Sequence, residues 1–253
     1  MENRIKCKHG WFNYYTNDIC IGRSLEHYGE YCEPEIDLIK QFTNKDSIVL
    51  DIGANIGTHA VPLSKHVDTV HAFEACFENY AMLCRNSPGS LNYNCAVTNH
   101  NDRVHVKHLN LLQEGNYGKV STSKYSNGNT AAITIDSLEL PRVDFIKIDV
   151  EGGEKGVLQG AYCTLRMHNP HMLIEAQDEC NYKIIYRLLK EHDYNIYWFP
   201  VATYNPENYR GNQINIFGKQ HGVLNWVATK QKRDLELVRD ENDTIEKTKD
   251  RDR

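Results

Sequence analysis

Ser47-Ile48-Val49-Leu50-Asp51-Ile52-Gly53-Ala54-Asn55-Ile56-Gly57-Thr58 is the stretch that decides the fold. Ser47–Ile52 is a short apolar run ending in glycines, which reads as a buried strand. Gly53 allows a tight turn and Gly57 allows a helix to pack closely. Asn55 stands where a dinucleotide-binding loop carries its middle glycine, and asparagine tolerates the left-handed region. A pyrophosphate needs close backbone approach at that point, so a dinucleotide is disfavoured. Asp51 sharpens the choice, because a carboxylate at the strand end repels a pyrophosphate and suits an ammonium group. S-adenosylmethionine carries such a group and no phosphate. Thr69–Glu74 reads as a second strand, and Glu74 ends it 23 residues after Asp51. An acid at that distance and place hydrogen-bonds ribose hydroxyls. The bland reading is a glycine turn in an α/β protein, with Asp51 and Glu74 as ordinary acids at helix N-termini.

The pattern continues in both periods. Phe77, Tyr80, Ala81 and Cys84 fall on one helix face. Asp144–Val150 reads as a strand, and Val157, Leu158, Ala161 and Leu165 as the apolar face of the helix after it. His171–Ala176 is a further strand. Ile184, Ile185, Leu188 and Leu189 mark a helix, Tyr194–Phe199 a strand, and Ile214–Phe217 the last strand. Apolar strands alternating with helices predict an α/β fold with a parallel sheet covered on both faces. Such sheets bind ligands outside the carboxyl ends of their strands.

Asp149 and Glu151 stand at such an end, and Glu175 ends the next apolar strand. With the strands adjacent, three carboxylates meet where the glycine loop opens. A positioned carboxylate can take the proton of a hydroxyl as it is methylated. Clustered acids raise one another's pKa, which suits a general base at neutral pH; they could equally hold a divalent metal through oxygen ligands. Against this stands helix capping, the preferred reading for Glu154. Lys147 inside an apolar strand has two readings of equal weight, a catalytic part or pairing with a neighbouring acid.

The chain has 253 residues, 40% hydrophobic and 25% charged, enough for a sizeable core. Its net charge of -5 argues against bulk nucleic acid as partner. No window is long and apolar enough to span a membrane, and the N-terminus lacks a secretory pattern, so the cytoplasm is the expected location. The eight cysteines form no CxxC and are read as reduced, mostly buried thiols. From Thr229 to Arg253, eight basic and eight acidic residues leave little to bury. The expected organisation is an N-terminal segment, 1–46, packing on the cofactor site, a cofactor-binding domain, 47–228, and a charged tail or lone helix, 229–253.

On these residues the chain resembles the FkbM family of S-adenosylmethionine-dependent methyltransferases. The resemblance is carried by Tyr28-Gly29-Glu30-Tyr31 with Glu35, by Val49–Thr58, by Ala72-Phe73-Glu74-Ala75, and above all by Ile146-Lys147-Ile148-Asp149-Val150-Glu151-Gly152 with Glu154, Leu158, Gly160 and Ala161. It runs from about Gly10 to Trp226. It implies a class I methyltransferase (Rossmann-like) fold, a seven-stranded, mostly parallel sheet with helices on both faces and its last strand antiparallel. It also implies an O-methyltransferase, whose known relatives act on polyketide and sugar hydroxyls. Carried over, Asp51, Gly53, Ala54, Asn55, Gly57 and Thr58 hold the cofactor's amino-acid end and Glu74 its ribose, with Glu30 in the cofactor-binding set. Asp149 would lie beside the reacting methyl group; the reading of the carboxylate cluster itself adds Glu151, Glu175 and Lys147 to the catalytic set. The family's second strand usually ends in Glu-Pro; here Ala75-Cys76 follows Glu74.

Several other features compete for a role. His105 and His108 have a metal-like spacing but fall on opposite faces of a strand, and His168 and His171 flank a turn. The aromatics of Trp11–Tyr15 and of Tyr194–Tyr209 suit either packing or a sugar face. Asn116–Asn129 is a polar loop, either a lid or simply irregular. The leading expectation is O-methylation of a sugar, glycan precursor or similar small molecule. The alternatives are methylation of an RNA ribose 2′-hydroxyl and a non-catalytic S-adenosylmethionine-binding module.

Overall fold

A computed structural model describes residues 2–120, 122–123, 128–175, 179–218 and 222–238. It opens with a hairpin, β1 (Glu2–Cys7) and β2 (Gly10–Tyr15), and two helices, α1 (Ile21–Tyr28) and α2 (Glu33–Phe42). There follow β3 (Ile48–Ile52), α3 (Ala60–His66), β4 (Thr69–Phe73), α4 (Phe77–Asn86) and β5 (Leu91–Tyr93). Short strands β6 (Cys95–Val97), β7 (Asp102–Val106), β8 (Thr122–Ser123) and β9 (Thr130–Ile133) form a second sheet of order β6-β9-β7-β8. The chain then runs through β10 (Phe145–Ile148), α5 (Glu154–Gln159), α6 (Tyr162–His168), β11 (His171–Glu175), α7 (Glu179–Glu191), β12 (Asn195–Ala202) and β13 (Gly222–Thr229).

The main sheet has seven strands in the order β12-β13-β11-β10-β3-β4-β5. From β5 to β11 every neighbouring pair is parallel, while β13 runs antiparallel to β11 and to β12. This is the expected class I methyltransferase sheet, with its last strand antiparallel. Alternation along each strand sends side chains to two cores. Leu50, Ile52, Ile146, Ile148, Met172, Ile174 and Trp226 pack with Val157, Leu158, Leu165 and Leu189 from α5, α6 and α7. Val49, Phe145, Leu173 and Val227 pack on the other face with Leu38, Ile39 and Leu63 from α2 and α3. Burying each such side chain contributes about 1.5–3 kcal/mol, so both faces are covered by apolar contact.

Three expectations need correction. Ile214–Phe217 is not the last strand. There Asn212 and Asn215 turn the chain, their Oδ1 atoms each accepting a backbone N–H at 3.0 Å, from Ile214 and Phe217. Such local bonds use the donors a ladder needs. The antiparallel strand is Gly222–Thr229, with Trp226 fully buried. The expected helix through Val157 and Leu165 is two helices with Gly160-Ala161 between them, although its apolar face stays in one core. The charged tail does not begin at Thr229. Thr229 closes β13, Trp198 N–H donates to Glu236 O at 2.8 Å, Val238 N–H donates to Ile196 O at 2.9 Å, and Val238 is buried. Residues beyond Val238 lie outside the described ones, as do Cys180's side chain and part of the Asn116–Asn129 loop. No described helix is long and apolar enough to cross a membrane.

Candidate active site

The carboxyl ends of β3, β4, β10 and β11 open onto a cavity of about 620 Å³, within the usual range for a small-molecule site. The glycine loop forms one side. Gly53 adopts φ +83, and a Cβ there would stand 1.7 Å from the carbonyl oxygen of Asp149, so only glycine lets the tips of β3 and β10 meet. Asn55 takes φ +50, the left-handed conformation its type allows. Glu74 ties this loop to the next strand. One of its oxygens accepts Asn55 N–H and the other Cys76 N–H, both at 2.8 Å.

The floor follows from strand register. Phe145 and Val49 face α2, so Lys147 and Asp51, two residues on and side by side, face it too. The same face carries Asp149 and, one strand over, Glu175 opposite Asn225. A polar row therefore crosses the sheet where the apolar core ends. Lys147 Nζ lies 3.0 Å from Asp149 Oδ2 and 3.8 Å from Asp51 Oδ1. Neither Asp51 oxygen has a hydrogen-bond partner among the described residues. Behind the row, Asn225 Nδ2 donates to Glu35 Oε1 at 3.0 Å, and His59 Nε2 lies 2.9 Å from Glu35 Oε2, within ion-pair distance but without hydrogen-bond alignment.

Electrostatics separate the acids. Burial opposes the charge on Lys147, but Asp149, Asp51 and Glu35 outweigh it and hold the ammonium above its ordinary range. Burial also works against the Asp149 carboxylate, yet Lys147 and a hydrogen bond with Glu175 bring it below the usual value. Asp149 is deep in the fold yet keeps 37% of its side-chain surface open to the cavity, where water moderates the burial penalty. Glu175 is pushed well up by burial and by Asp149. Burial and Asp149 raise Glu151 to about 7, and Glu151 itself sits at φ +48 in the turn after β10. Glu74 is raised to about 7, chiefly by burial.

Gly53, Ala54, Asn55, Thr58, Glu74, Lys147, Asp149, Glu151 and Glu175 all line the cavity. Gly57 does not; it packs against Leu83 of α4, where a Cβ would come within 3.0 Å of Cδ1. Asp51 is 0% exposed and stands behind the wall, paired with Lys147, and is not a direct contact for an ammonium group in the cavity. Glu30 is placed elsewhere. Its oxygens accept Asn205 Nδ2 and Tyr209 N–H, each at 2.8 Å, and so fasten the 205–209 loop to the turn between α1 and α2. Glu154 heads α5 and accepts Gly152 N–H at 2.9 Å. Local pattern did not point to Cys20, His59 or Cys95–Thr98, which also line the cavity, as do Tyr31 of the resemblance motif and Asn116 and Lys119 of the polar loop. Glu35 had no sequence signal beyond the resemblance, and its neighbour His59 had none.

The other candidates resolve into packing. His108 Nδ1 meets Glu78 Oε1 at 2.8 Å, and His171 Nδ1 meets Thr229 Oγ1 at 2.8 Å. Among the described residues no group of three or more His, Cys, Asp or Glu is arranged for a metal ion. Phe12, Tyr14 and Tyr15 are buried, and exposed Trp11 lies under Arg4. Tyr204 packs on Tyr28. The seven cysteines described are free thiols, five of them buried.

The family model described as the methyltransferase FkbM domain matches residues 51–196, more than half of the chain. The chain belongs to the FkbM methyltransferase family. This FkbM-family chain is 29% identical over 164 residues to the hexuronic acid methyltransferase AglP of Haloferax volcanii, a match covering 62% of the chain and 66% of that protein. Among solved structures it is similar to the FkbM methyltransferase of Methylobacillus flagellatus KT, with a TM-score of 0.48, 16% identity, and coverage of 73% of this chain and 44% of that one. It is also similar to M. jannaschii TYW2 in complex with AdoMet, with a TM-score of 0.45, 14% identity, and coverage of 90% and 84%. Likeness at this level carries no argument, and the fold rests on the sheet order itself.

Proposed function

We propose that the protein transfers a methyl group from S-adenosylmethionine to a hydroxyl oxygen of a sugar, glycan precursor or similar small molecule. The observation that carries this reading is Asp149, held ionised by Lys147 and open to the cavity, with its own carbonyl oxygen against Gly53 of the cofactor-type loop. The cavity's chemistry fits the cofactor. Glu74 and Glu151 on its wall, with Asp149, favour a cationic ligand and oppose a pyrophosphate or an RNA backbone as they ionise. Glu74 accepts two backbone N–H bonds and keeps further lone pairs for ribose hydroxyls. Ile52, Phe73, Ala96 and Val97 offer an apolar wall to a purine. A relative named as a hexuronic acid methyltransferase supports a sugar acceptor.

Bound S-adenosylmethionine supplies an electrophilic methyl carbon. The chain's own residues do the rest. The glycine loop and Glu74 hold the cofactor, and Asp149, next to Gly53, accepts the hydroxyl proton as the new bond to oxygen forms. Holding donor and acceptor in line supplies much of the acceleration. The test is incubation with methyl-labelled S-adenosylmethionine and a panel of neutral sugars, uronic acids, nucleotide sugars and RNA, with magnesium or chelator. Label should enter a sugar-bearing acceptor, and Asp149→Asn should lower the rate at least about 100-fold. Labelling of RNA alone, or full turnover by Asp149→Asn, contradicts the reading.

A further inference from the structure

Asp149 and Glu175 follow directly on paired residues of two adjoining parallel strands, Ile148 and Ile174. Both side chains therefore stand on one face of the sheet at neighbouring strand tips and line the same cavity, where the two carboxyl groups act on each other through a hydrogen bond. Two carboxyl groups in that contact must share a proton, because two carboxylates offer only acceptors. Where the proton rests is decided by the neighbours. Lys147 Nζ lies 3.0 Å from Asp149 Oδ2, on the Asp149 side of the pair. Asp51, Glu35 and His59 cluster behind Lys147. Glu151, on the turn after β10, adds a further acid facing Glu175, and Lys119 stands beside Glu151 at the cavity. The buried Lys147 ammonium thus favours a charge on Asp149 and leaves the proton on Glu175.

We propose that Glu175 is a positioning residue: it shares a single proton with Asp149, donates it to one Asp149 oxygen while Lys147 holds the other, and so aims the remaining lone pairs of Asp149 at the acceptor hydroxyl. This rests on the reading of Asp149 as the base. The upward displacement of the Glu175 carboxyl agrees with it. The proton balance is simple. As the oxygen–methyl bond forms and the sulfur–methyl bond breaks, the hydroxyl proton passes to Asp149. The pair then holds two protons until one returns to water in the cavity. Once the shared proton is lost at high pH, two carboxylates repel and Asp149 loses its aim, so turnover falls on the alkaline side.

The test compares Glu175→Gln, Glu175→Ala and Glu151→Gln under saturating cofactor across pH, with circular dichroism to confirm folding. Glutamine is a stand-in for a neutral carboxyl and can donate the same bond. Glu175→Gln should therefore keep a third or more of the wild-type kcat and lose the alkaline limb, whereas Glu175→Ala should drop about 100-fold. The limb should persist in Glu151→Gln. A difference infrared spectrum of the cofactor-free protein should show a protonated carboxyl band that Glu175→Gln removes. Glu175→Gln as slow as Glu175→Ala while folded, an unchanged alkaline limb, or an unchanged carboxyl band overturns the proposal. Failure of the wild type to transfer methyl at all instead overturns the function itself, and the infrared band still judges the shared proton.

Discussion

Replacing Lys147 by methionine removes a buried charge while nearly conserving shape. Lys147 is 3% exposed and is the cation of two ion pairs, at 3.0 Å to Asp149 and 3.8 Å to Asp51. Removing one partner of a buried pair costs about 3–5 kcal/mol, because the remaining charge is uncompensated. Asp149 is 37% open and recovers some hydration, but Asp51 is 0% exposed and its oxygens have no hydrogen-bond partner among the described residues. The cost should therefore lie near 3 kcal/mol, which for a domain of this size lowers Tm by about 6–12 °C. The pH dependence follows from the shifts. Lys147 is raised, so its contribution is complete below the ordinary lysine range and is lost as pH climbs through the raised value. Asp149 is lowered, so its contribution is complete above the ordinary carboxylate range and is lost as pH falls through the lowered value. Between those limits the wild type keeps both. In Lys147→Met, Asp149 loses the charge that holds it down and takes up a proton more readily, so the deficit should shrink between pH 7.5 and pH 5. Urea unfolding at the two pH values measures this. A deficit below about 1 kcal/mol, equal at both, refutes the reasoning.

Two further perturbations probe the framework. Gly53→Ala puts a Cβ 1.7 Å from a backbone oxygen, while Gly57→Ala meets the movable end of Leu83 at 3.0 Å. Displacing the β10 tip by about 1 Å should cost Gly53→Ala roughly 100-fold in kcat, whereas Gly57→Ala should show chiefly a stability loss of about 1–2 kcal/mol; equal kcat for both contradicts the geometry. Ending the chain after Gln231 removes Leu235 and Val238 from the two cores. It should destabilise the protein by about 3 kcal/mol, and an unchanged Tm would show that this segment does not pack.

The parts of this fold that were legible in the sequence are those where local pattern and tertiary role coincide. Ile48–Ile52 and Phe145–Ile148 are apolar on both sides because helices cover both faces, and their tips carry the acids because a parallel sheet opens its site there. Ile214–Phe217 misled because its apolar residues look strand-like, while the neighbouring asparagines had already claimed its N–H groups. Gly222–Thr229 is not legible as a strand, although Trp226 and Val227 fill both cores, because Asn225 interrupts its apolar run and its reason, a bond to Glu35, lies 190 residues away. Glu30 shows the same limit. Its motif is real, but its partners are Asn205 and Tyr209. Cys20 and Tyr31 reach the cavity through the packing of a segment distant in sequence from the glycine loop.

Calorimetric titration of S-adenosylmethionine into the wild-type protein and Glu74→Ala, at pH 6 and pH 8, tests the cofactor assignment most directly. Glu74 is raised to about 7, and ribose hydroxyls bond more strongly to its ionised form. The wild type should bind at one site and more tightly at pH 8, and Glu74→Ala should lose at least about tenfold in affinity together with that pH dependence. Folded wild-type protein that gives no binding heat at either pH and protects no residue of the cavity, or a Glu74→Ala variant that binds as the wild type does, would contradict it.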